Sequence, residues 1–175
     1  DGAKGGPVDE GNVGGGTGMT CHGFKCGIGT SSRRVDAQGR AYTVGVLVQA
    51  NYGTRSSLRI AGVPVGEHLR EGATGHETAS DGDNGSIIIV VATDAPLLPN
   101  QLDRVARRAA MGLARMGSFA GNGSGDIFVA FSTANARSME GDLVHGAEFL
   151  DNGRLDVLFE ATVQATEEAI INALV

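Results

Sequence analysis

The sequence contains no tryptophan, and its aromatic residues are only two Tyr and six Phe. A core built from it must rest on Val, Ile, Leu and Ala. No run of about eighteen apolar residues occurs, which excludes a spanning helix of ordinary length. Basic charge is also scarce: Lys and Arg number 14 against 20 Asp and Glu, for a net charge of −6. A nucleic-acid partner usually requires a basic patch. The one local cluster, Arg104, Arg107, Arg108 and Arg115, falls on one helical segment and reads as a solvated face. No nucleic acid and no membrane is therefore expected as a partner. Cysteine is limited to Cys21 and Cys26, with four residues between them around His22. Zinc sites want four ligands, and no second pair exists. The spacing favours two free thiols in a reducing compartment over a metal site, and so a cytoplasmic over a periplasmic location.

Glycine is abundant, at 28 of 175 residues, without the G-X-Y period of collagen. It clusters in loops, where turns and close backbone approach favour a missing Cβ. Residues 1–34 are rich in Gly, Ser and Thr, and Gly11 to Gly18 reads as a loop. The run GNVGGGTG from Gly11 to Gly18 has spacings like those of a phosphate-cradling loop. It lacks a Gly-Lys-Ser/Thr ending and a preceding strand, which argues against that use. The chain opens on Asp1 rather than Met and reads as a piece of something longer. The length suits one domain, here a partial one.

Residues 41–51 (AYTVGVLVQAN) predict a strand, and residues 58–65 (LRIAGVPV) a second one ending at an edge near Pro64. Residues 66–85 are polar, acidic and glycine-containing, a surface loop. Residues 86–92 (SIIIVVA) follow abruptly and predict a strand buried on both faces. A helix is predicted from about Asn100, with Asp103 in a capping-box-like position and an apolar stripe of Leu102, Val105, Ala106, Ala109, Leu113 and Met116. Gly117 is its natural stop. GNGSGD over residues 121–126 predicts a tight turn, residues 127–131 a strand, and residues 155–174 a last helix. Inner strands covered by helices imply a layered α/β sandwich.

Three places carry candidate chemistry. At Asp83-Asn84-Gly85-Ser86 an exposed loop meets a buried strand. Attack of the Ser86 hydroxyl on the Gly85 carbonyl, followed by hydrolysis of the resulting ester, would leave Ser86 with a free α-amine. That amine, with a pKa of about 7.7–8.0 in water, is a base next to its own nucleophile. On the residues alone a simpler account exists: Asn-Gly is a common type I′ hairpin turn, and Ser86 merely opens the returning strand. Ser124 and Asp126 fall at i and i+2, which on extended backbone puts a hydroxyl and a carboxylate on one side. A polar turn with an Asx-type bond explains them equally well. Asn51, ending its strand, is an amide donor fit for an oxyanion hole, or an ordinary strand-ending Asn. The histidines His22, His68, His76 and His145 are scattered in polar surroundings and assemble no triad.

Three stretches change the weighting: GNVGGGTGMTCHGFKCGIGTSSR, YTVGVLVQANYG, and DNGSIIIVVATDAPLLPNQLDRVARRAAMGLARMGSFAGNGSGDIFVAFSTAN. Over nearly its whole length the chain resembles the DmpA family of L-aminopeptidase/D-esterases, which includes the β-aminopeptidases. The resemblance implies a four-layer α/β/β/α sandwich like that of N-terminal-nucleophile hydrolases, with different connectivity. It implies self-cleavage between Gly85 and Ser86, so that residues 1–85 are the end of an α subunit and residues 86–175 most of a β subunit. The two fragments would stay together, and αβ pairs would form a homo-oligomer. The family's serine-plus-acid pair falls on Ser124 and Asp126, with Glu in some members, and its oxyanion asparagine on Asn51. The implied substrate is a small peptide or an aminoacyl amide or ester with a free amine, and no cofactor is implied. Family members extend beyond both ends of this sequence, and further pocket residues lie there. Two rival functions remain at this stage. A self-cleaving acyltransferase of the ornithine-acetyltransferase type uses threonine where this chain has Ser86. An uncut, non-catalytic binding or scaffold protein has no need of Ser86, Ser124 and Asp126 together.

Overall fold

A computed structural model describes residues 5–69, 85–136, 141 and 146–175. The chain forms β1 (Thr20–Cys21), β2 (Phe24–Lys25), β3 (Ile28–Asp36), β4 (Ala41–Asn51), α1 (Val65–His68), β5 (Ser86–Thr93), α2 (Pro99–Arg115), β6 (Ile127–Ser132) and α3 (Asp156–Leu174). The four long strands make one sheet in the order β3-β4-β5-β6. β4 is antiparallel to both β3 and β5, whereas β5 and β6 run parallel. The small pair β1-β2 forms a separate hairpin.

Alternation along the strands decides which face is buried. Val44, Val46, Val48 and Ala50 of β4 and Ile87, Ile89 and Val91 of β5 point at the helices and are buried. Against them lie Val105, Ala109 and Leu113 of α2 and Leu158, Ala165, Ala169 and Ile170 of α3, also buried. Each buried Val, Leu or Ile side chain among them contributes about 1.5–3 kcal/mol, and each Ala less. No described helix or strand covers the opposite face. Ile88 is 40% exposed, Ile127 52%, Val129 46% and Phe131 45%. The expectation that residues 86–92 are buried on both faces is therefore corrected: within this chain only every second side chain of β5 reaches a helix. The described residues supply one sheet layer and one helix layer of the expected four.

Two other expectations change, and one strand is added. Residues 28–36 form a nine-residue strand where the sequence marked no element. Their Ser, Thr and Arg content suits an edge strand with polar neighbours, and this hid it. Residues 58–65 are not a strand. A 3-10 turn at Arg55–Ser57 leads into an isolated bridge between Ile60 and Val63, reversed through Ala61 and Gly62, both at positive φ. And Cys21 and Cys26 are joined in a disulfide, with Cα atoms 5.3 Å apart. This overturns the free-thiol reading and removes the ground for a reducing compartment. The apolar residues at 58–65 mislead because Leu58 is buried beneath a turn rather than along a ladder.

The helices form as their sequences dictate. Pro99 occupies the first position of α2, where its missing N–H costs nothing. The expected capping partner was Asp103; Gln101 does this work, its Oε1 accepting from the Leu98 N–H at 3.0 Å. Asp103 instead pairs with Arg107 on the exposed face. Gly117 follows the C-cap at φ +97°, as the sequence predicts. The arginines do more than face solvent: Arg104 and Arg108 lie over the Phe159 ring, and Arg115 pairs with Glu167, so α2 is tied to α3. At the far side of α3, Ser31 and Arg33 of β3 both bond Glu168 and hold its carboxyl below the usual range.

α3 lies so close to β3 that Gly29 has no room for a side chain. A Cβ there would stand 1.9 Å from the Ala169 carbonyl oxygen and 2.7 Å from the Ala173 nitrogen. Gly29→Ala is expected to destabilise the fold by about 3 kcal/mol, because backbone must move. Gly45→Ala is the control: its nearest neighbour would be the Ala92 oxygen at 3.9 Å. Urea unfolding of both variants checks this, and equal midpoints would refute the close approach.

Candidate active site

The antiparallel register of β4 and β5 ends with Asn51 opposite Ser86. Directly opposed residues project to the same face, with Cβ atoms about 4.5–5.5 Å apart. This is the face that no described helix covers. β6 runs parallel to β5, and Ile127 pairs with Ile88, so the turn that precedes β6 is delivered to the start of β5. Ser124 and Asp126 sit in that turn. The Ser124 N–H donates to the Gly121 oxygen at 2.8 Å.

The hydrogen bonds join these residues into one group. The Gly125 N–H donates to Ser86 Oγ at 2.9 Å. Ser124 Oγ donates to Asp126 Oδ1 at 2.5 Å, and the same oxygen accepts the Ile87 N–H at 3.1 Å. One carboxylate oxygen thus holds both the neighbouring hydroxyl and the backbone that follows the serine. The other oxygen, Oδ2, is buried with no hydrogen-bond partner among the described residues. Asn51 Oδ1 accepts the Thr20 N–H at 3.0 Å. With that oxygen held by Thr20, the NH2 is the half of the amide left to donate elsewhere.

Gly85 is set by the same close packing. A Cβ on it would meet the Asn51 oxygen at 2.1 Å and Tyr52 Cα at 2.6 Å. The residue before Ser86 is therefore pressed against the end of β4. The hairpin account of this junction turns on Asn84 and the residues before it, which lie outside the described residues; the described antiparallel partner of β5 is β4. Asn84, His76 and His145 lie outside the described residues.

All four expected residues, Ser86, Ser124, Asp126 and Asn51, are brought to one end of the sheet. The reading of His22 as a polar-loop residue is corrected. It is fully buried and in the left-handed region at φ 51°, with Nδ1 2.9 Å from the Thr54 oxygen and its ring edge-on to Tyr52. It backs the segment that leaves Asn51. Only the adjoining cysteines hint at it in the sequence. Among the described residues no group of three or more His, Cys, Asp and Glu is placed to hold a metal ion, and no helix is long and apolar enough to cross a membrane.

The family model described as peptidase family S58 matches residues 1–175, the whole chain. The chain belongs to peptidase family S58. It is 56% identical over 185 aligned positions to the beta-peptidyl aminopeptidase BapA of Sphingosinicella microcystinivorans, covering 99% of this chain and 46% of that protein. The BapA of Sphingosinicella xenopeptidilytica is 52% identical, with the same 46% share of its length. Among solved structures, the L-aminopeptidase D-Ala-esterase/amidase of Ochrobactrum anthropi superposes with a TM-score of 0.87 at 52% identity, over 96% of this chain and 45% of that one. Its description places it as a new variant among the Ntn hydrolase fold. The beta-aminopeptidase of a Burkholderia species gives a TM-score of 0.85 at 49% identity, over 97% and 47%. This S58 chain shares the Ntn-hydrolase fold class with them, and it spans about half the length of these relatives.

Proposed function

We propose that the protein to which this chain belongs is a self-processing serine aminopeptidase with Ser86 as its nucleophile. The observation that carries the reading is the Ser86 hydroxyl, bonded by the Gly125 N–H and set opposite Asn51, beside the Ser124–Asp126 pair. In processing, Ser86 Oγ adds to the Gly85 carbonyl carbon, and the acyl group moves from the Ser86 nitrogen to its oxygen. Water hydrolyses that ester, leaving a Gly85 carboxylate and a Ser86 α-amine. Residues up to Gly85 then end the α subunit and Ser86 begins the β subunit.

In turnover the Ser86 α-amine accepts the proton of its own hydroxyl as Oγ attacks the substrate carbonyl. Ser124 and Asp126 orient the amine and balance its charge. The Asn51 NH2 donates to the oxyanion. The protonated amine then gives its proton to the leaving amine or alcohol, and water releases the acyl group. The substrate is a peptide, amide or ester whose first residue carries a free amine. The names of the relatives support β-amino, L-α and D-α residues as the classes to screen. The partners that go with this reading are the molecule's own α and β fragments and further copies of the αβ pair.

Intact-mass spectrometry of the full-length gene product tests the proposal. Two masses that place the break between Gly85 and Ser86 are expected, together with hydrolysis of an aminoacyl p-nitroanilide and none of its N-acetylated form. A single uncut mass without turnover would overturn it and favour a binding role. Acyl transfer to an added amine that outruns hydrolysis would favour a transferase.

A further inference from the structure

The glycine-rich run from Gly11 to Gly18 has no part in the site as described, yet the structure gives it a fixed shape. Gly11 and Ile28 exchange two backbone hydrogen bonds, at 2.7 and 2.9 Å. A Cβ on Gly27 would stand 2.2 Å from the Gly11 oxygen, and one on Gly16 would stand 2.8 Å from Gly27 Cα. Two backbone segments are pressed together here, so glycine serves close approach rather than freedom.

One side chain knits the assembly. Asn12 Nδ2 lies 3.1 Å from the Gly16 oxygen, 3.1 Å from the Met19 oxygen and 2.7 Å from the Cys26 oxygen, and its two N–H bonds are shared among the three. Its Oδ1 accepts the Gly18 N–H at 2.9 Å. The Met19 oxygen also accepts the Cys26 N–H at 3.0 Å, and the disulfide fixes Cys26 to Cys21. The Met19 carbonyl belongs to the same planar peptide unit as the Thr20 N–H. That N–H is the donor to Asn51 Oδ1. The chain of contacts therefore runs from the Asn12 amide through a single peptide plane to the Asn51 amide.

We propose that Asn12 is a positioning residue that aims the Asn51 donor at the reacting carbonyl. By fixing the Met19–Thr20 peptide it fixes the rotation of the Asn51 side chain, and with it the direction of Nδ2. Hydrogen bonds in series also polarise one another, so the Thr20 N–H is a better donor when Met19 accepts. This rests on the reading of Asn51 as the oxyanion donor.

The test is a double-mutant cycle in the full-length protein: wild type, Asn12→Asp, Asn51→Ala and the pair, with kcat and KM measured per cut molecule. Asn12→Asp keeps the acceptor for Gly18 and removes the donor to three carbonyls. It is expected to lower kcat by about 10- to 100-fold, the order of loss that a misplaced catalytic group brings. KM should change by less than about threefold, since the donor acts in the transition state. In the Asn51→Ala background it should add less than about twofold, because its effect passes through Asn51. Asn12→Ser, which also lacks the shared NH2, carries the same cycle if the aspartate variant does not fold. Effects that multiply would make Asn12 a purely structural residue and overturn the inference, as would a silent Asn12→Asp. A silent Asn51→Ala would sink the oxyanion reading itself, and the inference with it, while leaving Ser86 as nucleophile.

Discussion

Ser86→Ala in the full-length protein is expected to give one uncut mass and no measurable aminopeptidase activity. The substitution removes a single oxygen, the one that accepts the Gly125 N–H. Without it no acyl shift from nitrogen to oxygen can begin, so Gly85 and Ser86 stay joined and no α-amine appears. Nucleophile and base are lost together. Removing the nucleophile of a serine hydrolase costs about 10⁶-fold in kcat, with a residue of catalysis from the remaining site. Here even that residue should be smaller, because on the proposed mechanism the uncut Gly85 carbonyl would occupy the place of the substrate carbonyl. The fold should survive, since Ser86 is only half-buried and Ile87, Ile89 and Val91 anchor the strand. An unchanged urea midpoint alongside lost cleavage is the expected pair of results. Cleavage persisting in the alanine variant would mean that another group makes the cut.

Asp126 should separate charge from architecture. Asn at this position keeps an oxygen for the Ile87 N–H and for Ser124 but removes the negative charge. Ala removes both. If the carboxylate balances the ammonium form of the Ser86 amine during turnover, Asp126→Asn and Asp126→Ala each lose about 10²–10⁴-fold in kcat, the range for a group in proton transfer. Only Asp126→Ala should also lose stability, by about 1–3 kcal/mol, because it leaves the Ile87 N–H without its acceptor. Turnover numbers and urea unfolding read the two effects independently. An asparagine variant with wild-type kcat would reduce Asp126 to a clamp on the strand.

The parts of the fold that were legible in the sequence are those where one short-range rule dominates. An apolar, β-branched run marked β4, and a one-sided stripe with Pro99 and Gly117 marked α2. β3 escaped because an edge strand of Ser, Thr and Arg shows no alternation, and its pairing depends on a partner elsewhere in the chain. The single buried face of β5 was illegible for a related reason: an apolar run says nothing of what covers each side. In the site, Ser86, Ser124 and Asp126 stood out through local context, and the resemblance gave them weight. Asn12 and His22 did not stand out. Their importance lies in carbonyls brought near by folding, at positions as distant as Cys26 and Thr54, which no local pattern announces.

The register of β4 against β5 has one further consequence. A cut between Gly85 and Ser86 would sever the chain between two adjacent strands that pair from Val44–Thr93 to Asn51–Ser86. α3, beyond the cut, packs on β3 and β4, which precede it. The products would be interleaved through a common core and could part only by global unfolding. Before the cut, refolding from denaturant is first order; afterwards two separate polypeptides must find each other, and the rate depends on their concentration. Processing would thus exchange a reversible folding equilibrium for persistence governed by the unfolding rate, with no return path once the pieces have diffused apart.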